Sequence, residues 1–230
     1  MNKRILSIFD LKNSLWPDWF QEAFSNNLIS VFLHGNCLMA GFSPIKEPWQ
    51  ISFILKEDSP EKISGLKLLV KKATQQGITF GYFFTHESLA HSTDVFPLEL
   101  LHIAKRNEVL FGEQPLANYT PNHNALRLEC ESELRGILIH LRREFVYMQQ
   151  GHTQMDFFFL AEAQLMPILY GVYFLLHNTY PETHEAIFAE YPQLRIEPPT
   201  REEEVINERA NKYILTITQI INTIDSMEIQ

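Results

Sequence analysis

Short apolar runs rich in β-branched and aromatic residues recur through the first half of the chain, at LISVFLHG (28–35), WQISFIL (49–55) and ITFGYFF (78–84). Runs of that length and composition predict buried strands. Helical patterns lie before and between them. WPDWFQEAFSNN precedes the first run, and SPEKISGLKLLVKKATQQG separates the second from the third. In the latter, Ser59 is placed to cap a helix, Pro60 to open it and Gly77 to stop it. The alternation predicts a small α/β domain.

Beyond residue 125 the rhythm changes. Apolar positions 126, 130, 134, 137, 138, 141, 145 and 148 advance in threes and fours, as do 206, 210, 213, 214, 217, 220, 221 and 224. Each set draws one stripe down a helix. Thr200 and Glu203, just after Pro198 and Pro199, have the spacing of a capping box for the last helix. A strongly apolar helix over 154–177 and a shorter one near 184–191 complete the set. Such stripes can close only on one another, which predicts a helical bundle. With QPLANYTPNHN (114–124) as the hinge, the expected domains are 1–117, a sheet with helices, and 118–230, all helix.

Composition narrows the function classes. The 230 residues are 45% hydrophobic and 20% charged, with a net charge of −9. Eleven basic and twelve acidic residues precede residue 117, against eight and sixteen after it, so the acidity resides in the second half. That sign disfavours nucleic acid or an anionic membrane as a partner. Phe157 to Leu176 has the length of a membrane span but contains Glu162, Gln164 and Pro167. Those residues and the absence of a flanking basic cluster favour a buried bundle helix. The N-terminal apolar stretch is broken by Ser7, Asp10 and Lys12, so no export signal is expected. The two cysteines, Cys37 and Cys130, have no ligand or disulfide spacing, which fits a reducing cytoplasm.

SVFLHGN, followed thirteen residues later by QISFIL, resembles the opening of the polymerase-β-type nucleotidyltransferases. In that family a strand, Gly-Ser, a helix and a second strand carrying Asp-x-Asp come in that order. DVFPLELLHIAKRNEVLFGEQPL, with the helix LRLECESELRGILIHLRREF after it, is similar to the family's two-domain bacterial branch, which includes aminoglycoside nucleotidyltransferases. The resemblance covers most of the first 150 residues. It implies a nucleotidyltransferase-like α+β domain with a mixed sheet, then a C-terminal helical bundle.

The chemistry of that family is metal-assisted phosphoryl transfer, in which carboxylates hold two divalent cations against a triphosphate. Magnesium demands oxygen ligands, preferably anionic ones. The resemblance aligns the Asp pair with Gln50 and Ser52. It places the third carboxylate on the strand where this chain has Ile78, Thr79, Phe80, Gly81 and Tyr82, and changes Gly-Ser to Gly35-Asn36. None of these brings charge to a cation. The expectation is a retained fold with lost catalysis: a ligand-binding or regulatory module. Neither a cofactor nor residual binding of nucleotide with magnesium is expected, and the partner is a small molecule, a protein or a second copy of the chain. The competing expectation is an active transferase with a relocated metal site using Glu47, Asp58 or Glu99, although Glu47, Glu57 and Asp58 all lie off the alternating face of the strand.

Weaker candidates complete the set. Gly35-Asn36 can open a helix whose free amides accept an anion, with His34 nearby, although the first basic residue after the turn is Lys46 and a tight turn needing glycine is the favoured reading. Arg135 and His140 fit the R-x4-6-H signature of HEPN ribonucleases, but an i, i+5 pair diverges by about 140° on a regular helix. The nine histidines are scattered, without metal-ligand spacing. Glu99 either pairs structurally or faces a functional cleft. The EEE run (202–204) complements a helix dipole. Of the carboxylates near the apolar helix, Asp156, Glu162 and Glu185, Glu162 is the first to examine for an unusual partner.

Overall fold

The structure, a computed structural model, describes residues 4–39, 41–148, 154–198 and 200–227, leaving aside the side chains of 154–156, 159 and 160. The chain divides into two compact units. One comprises the residues up to Thr93 with Glu99–Thr120; the other comprises Asp94–Leu98 and everything from Pro121.

The first unit is built on a mixed sheet. Two helices, α1 (Ile8–Lys12) and α2 (Trp16–Phe24), lead into β1 (Leu28–His34) and then β2 (Trp49–Leu55). Short α3 (Pro60–Ile63) and α4 (Val70–Gln76) connect to β3 (Ile78–Thr85), followed by α5 (His86–His91), α6 (Pro97–Lys105) and β4 (Asn107–Gly112). The strand order is β3-β2-β1-β4, with β2 and β3 parallel and the other pairs antiparallel. The α3–α4 crossover supplies the length that a parallel pair requires.

Alternation along the strands separates two apolar layers. Val31, Leu33, Ile51, Phe53 and Leu55 pack with Trp16, Phe20 and Phe24 of α2. On the opposite face, Phe32 and Ile54 meet Leu89, Leu100 and Ile103 from α5 and α6. Both faces of β1 and β2 are covered, so these strands read as continuous apolar runs rather than alternating ones. By contrast β3, expected to be buried, is only partly so, with Thr79 and Tyr82 exposed.

Two expectations for this unit need correction. The stretch from Ser59 to Gly77 is not one helix: a 3-10 segment, Ser64–Leu68, separates α3 from α4. At Gly65 a Cβ would lie 2.6 Å from the Ala23 carbonyl oxygen, so the crossover presses its backbone against α2 there. Gly77 does end the run, in the left-handed conformation at φ 74°. The strand β4 was not foreseen; all but its last residue are half-buried, so it shows neither a buried run nor a clear alternation.

The second unit is helical: α7 (His123–Tyr147), α8 (Gln154–His177), α9 (His184–Glu190) and α10 (Glu203–Asp225). The α7 stripe is buried at Leu126, Cys130, Leu134, Ile137, Leu138 and Leu141, and the α10 stripe at Ala210, Tyr213, Ile217, Ile220, Ile221 and Ile224. Both pack as a bundle requires, α7 against α8 and α10. The Thr200–Glu203 capping box does not form. The helix starts later, with Glu202 at the cap, and Thr200 Oγ1 accepts the Glu202 N–H at 3.2 Å. Glu203 and Glu204 occupy the first turn, where their charge suits the dipole. Among the described residues no helix is long and apolar enough to cross a membrane.

Candidate functional site

The strand register gathers the residues aligned with the metal ligands onto one face at the start of β2. Gln50 lies opposite Thr79 across the parallel pair, and a Cβ at Gly35 would come within 3.3 Å of Gln50 Oε1. Thr79 is exposed, Gln50 half-buried and Ser52 wholly buried. The four positions taken from the sequence, Gly35, Gln50, Ser52 and Thr79, therefore fall at one edge of one sheet face.

A bulge decides what else reaches that face. Ile51 pairs with Phe80, but Phe53 pairs with Phe83, so Gly81 and Tyr82 together oppose Ser52. Strict alternation would put Phe80 and Phe83 on opposite faces; the extra residue keeps both in the α2 core. It also turns Tyr82 onto the Gln50–Ser52 face, where its ring stacks on His34 at 5.3 Å and 25°. Ser52 replaces the missing ladder partner: its Oγ accepts the Tyr82 N–H at 2.7 Å. The same Oγ shares a 2.8 Å hydrogen bond with His34 Nε2. Gly81 is obligatory in this arrangement, because a Cβ would stand 2.6 Å from Ser52 Oγ.

The cluster is polar without being anionic. His34 is 2% exposed, and burial lowers its pKa to about 4, which leaves the imidazole neutral. A neutral imidazole has one bare nitrogen, and the Ser52 hydroxyl proton fills it in the Nδ1–H tautomer. Beside the cluster, the Glu99 carboxylate hydrogen-bonds the Tyr82 hydroxyl. Burial raises the Glu99 pKa and, with the Glu99 charge, pushes that of Tyr82 up to about 12. Glu99 thus pairs with a phenol.

Such a donor set does not fit two divalent cations. Gln50 contributes a neutral amide, the Ser52 oxygen is already engaged, and there is no room for a side chain at position 81. Nor do the relocated acids assemble. Glu47 is exposed in the loop before β2, and its carbonyl accepts from Arg4. Glu57 and Asp58 lie beyond the far end of β2, and Glu57 pairs with Lys62 at 3.7 Å. Among the described residues no three His, Cys, Asp or Glu side chains form a group able to hold a metal.

At Gly35-Asn36 the structure has a tight turn rather than the start of an α-helix. Gly35 adopts φ 75°, a turn conformation that favours glycine, but the chain then makes only a 3-10 turn, Gly35–Leu38, before it becomes extended. One turn does not align enough free amides to create an anion-binding helix end. Sequence proximity also missed a cation: β1–β4 pairing sets His34 against Asn107, and the neighbouring Arg106 donates to Met39 Sδ beside the turn. Tyr82 was overlooked for a different reason, since only a bulge, invisible in the residue pattern, brings it to this face.

The remaining candidates lie in the second unit or are scattered. Arg135 binds Glu131 at 2.7 Å and lies 3.6 Å from Asp225, while His140 is exposed one turn further along α7. Glu162 is half-buried, and burial raises its pKa against the opposing influence of His184 and Arg195. Glu185 pairs with Arg195 at 2.6 Å on the open surface. The side chain of Asp156 lies outside the described residues.

No family model matches the chain, and no curated protein matches it. Among solved structures it is similar to a nucleotidyltransferase-like protein from Exiguobacterium sibiricum, at 8% identity and a TM-score of 0.38, over 93% of this chain and 75% of that one.

Proposed function

We propose that the chain is a nucleotidyltransferase-type protein that no longer transfers nucleotides and acts as a binding or regulatory module. The observation carrying this reading is the neutral network His34–Ser52–Tyr82 at the place where the resembling family holds its metals. The order of strand, glycine turn, second strand and parallel third strand supports the relationship, and the convergence of Gly35, Gln50, Ser52 and Gly81 supports the correspondence of positions. Two buried, free cysteines suit a cytoplasmic location.

Loss of two cation sites removes what would offset the charge of a triphosphate, so ATP with magnesium is not expected to stabilise the fold. A thermal-shift titration with each nucleotide, with and without magnesium, followed by incorporation of labelled nucleotide into acceptors, tests this. No shift and no incorporation are expected. Magnesium-dependent incorporation abolished by Glu99→Gln or Glu47→Gln would establish a relocated active site and overturn the proposal.

A further inference from the structure

Two polar side chains of the second unit are buried or half-buried without a hydrogen bond, and they stand beside a basic pocket. Tyr213 of α10 is 1% exposed, yet its hydroxyl has no hydrogen-bond partner among the described residues. Glu162 of α8 is half-buried and likewise makes no hydrogen bond among those residues. The two are neighbours, since burial and then the Glu162 charge raise the Tyr213 pKa. Buried hydroxyls in native proteins are nearly always hydrogen-bonded, so this one marks a place for a group from outside the chain.

The pocket beside them has a volume of about 240 Å³. Phe158 is the shared wall: it lines the pocket, its ring meets that of Tyr213 at 5.5 Å and 68°, and it precedes Glu162 by one turn on the same face of α8. Arg209, one turn before Tyr213 on α10, lines the pocket with Lys212, Arg195 and Glu197. Three of the eight basic residues beyond residue 117 thus converge here. Each is held by an acid: Arg195 by Glu185 at 2.6 Å, Arg209 by Glu197 at 2.7 Å and Lys212 by Glu208 at 2.8 Å. Those acids are 69%, 60% and 62% exposed, and ion pairs so open to water are weak. Of the three only Glu197 lines the pocket, so a carboxylate of the chain itself already lies against Arg209 there.

We propose that this pocket binds a small organic anion carrying a hydroxyl group. The acidic group of the ligand displaces Glu197 from Arg209 and faces Arg195 and Lys212. Its hydroxyl passes the edge of Phe158, donates to the Glu162 carboxylate and accepts the Tyr213 proton. The guanidinium fork suits a carboxylate and a phosphate alike, and the acidic group is one of these two. The volume lies just below the range that takes drug-sized ligands, which limits the anion to the size of a hydroxydicarboxylate or a polyol phosphate. The pocket lies wholly within the second unit and is independent of the reading given to the Gln50–Ser52 face.

Calorimetric titration of the full chain with malate, succinate, glycerol 3-phosphate and inorganic phosphate tests the proposal. Malate should bind more tightly than succinate, which lacks the hydroxyl, if the acidic group is a carboxylate; glycerol 3-phosphate should bind more tightly than phosphate if it is a phosphate. Arg209→Gln should weaken binding of the preferred anion about tenfold, and Lys212→Gln should weaken it as well. Glu197→Gln removes the competing carboxylate and should tighten it. Tyr213→Phe should leave the urea midpoint no lower and reduce the preference for the hydroxyl-bearing anion about fivefold. Failure of all four anions to bind overturns the proposal. So does a preference for the hydroxyl that survives Tyr213→Phe, or binding that neither Arg209→Gln nor Glu197→Gln alters.

Discussion

His34 is buried without charge, and acid should therefore destabilise the fold through this one residue. In the unfolded chain an imidazole titrates near 6.5; in the fold, burial lowers that value to about 4. Above pH 6.5 both states are neutral and the contribution to stability is intact. As the pH falls through 6.5 the unfolded chain takes up the proton first, and stability is lost progressively until the folded state also protonates near 4. Between pH 7.5 and pH 5 the loss amounts to about 2 kcal/mol. The reference is His34→Gln, whose amide can still hydrogen-bond Ser52 but does not titrate. Urea denaturation of both proteins at pH 7.5, 6.5, 5.5 and 5.0 isolates the effect, since every other titrating group is common to the two. Glu99 in particular, its pKa raised by burial, works in the opposite direction and cancels in the comparison. The stability difference between the proteins should shift by about 2 kcal/mol across the window in favour of the variant. Equal losses in both, or a His34 resonance titrating near 6.5 in the folded protein, would refute the argument.

Two substitutions of glycine should move stability in opposite directions. Gly81→Ala drives a methyl to 2.6 Å from Ser52 Oγ and disturbs the bonds to His34 and the Tyr82 N–H, so denaturation should show a loss of about 1–3 kcal/mol. Gly136→Ala in the interior of α7 meets nothing within 4 Å and should raise stability by about 0.5–1 kcal/mol, read from the urea midpoint at an unchanged slope.

The pattern of apolar positions determined the elements wherever one face or one run was buried without interruption. The strands at 28 and 49, as apolar runs, and the stripes of α7 and α10, with a period of 3.6, are of this kind, because both patterns trace which side chains leave water. The strand at 78 was legible from its β-branched and aromatic residues although it is only partly buried. The same residues showed that Gln50 and Ser52 bring no charge to a cation, a matter of side-chain chemistry alone. Local signals failed where a distant segment intervened. Ser59 and Gly77 mark the ends of a crossover that is interrupted where Gly65 meets α2. Only the tertiary structure decided the composition of the site. His34, Ser52 and Tyr82 are separated by 18 and 30 residues, and their meeting depends on strand register and on one extra residue in β3. A register shift changes which face a side chain occupies without altering any local preference, so its outcome is decided by the two apolar layers that the sheet must satisfy together.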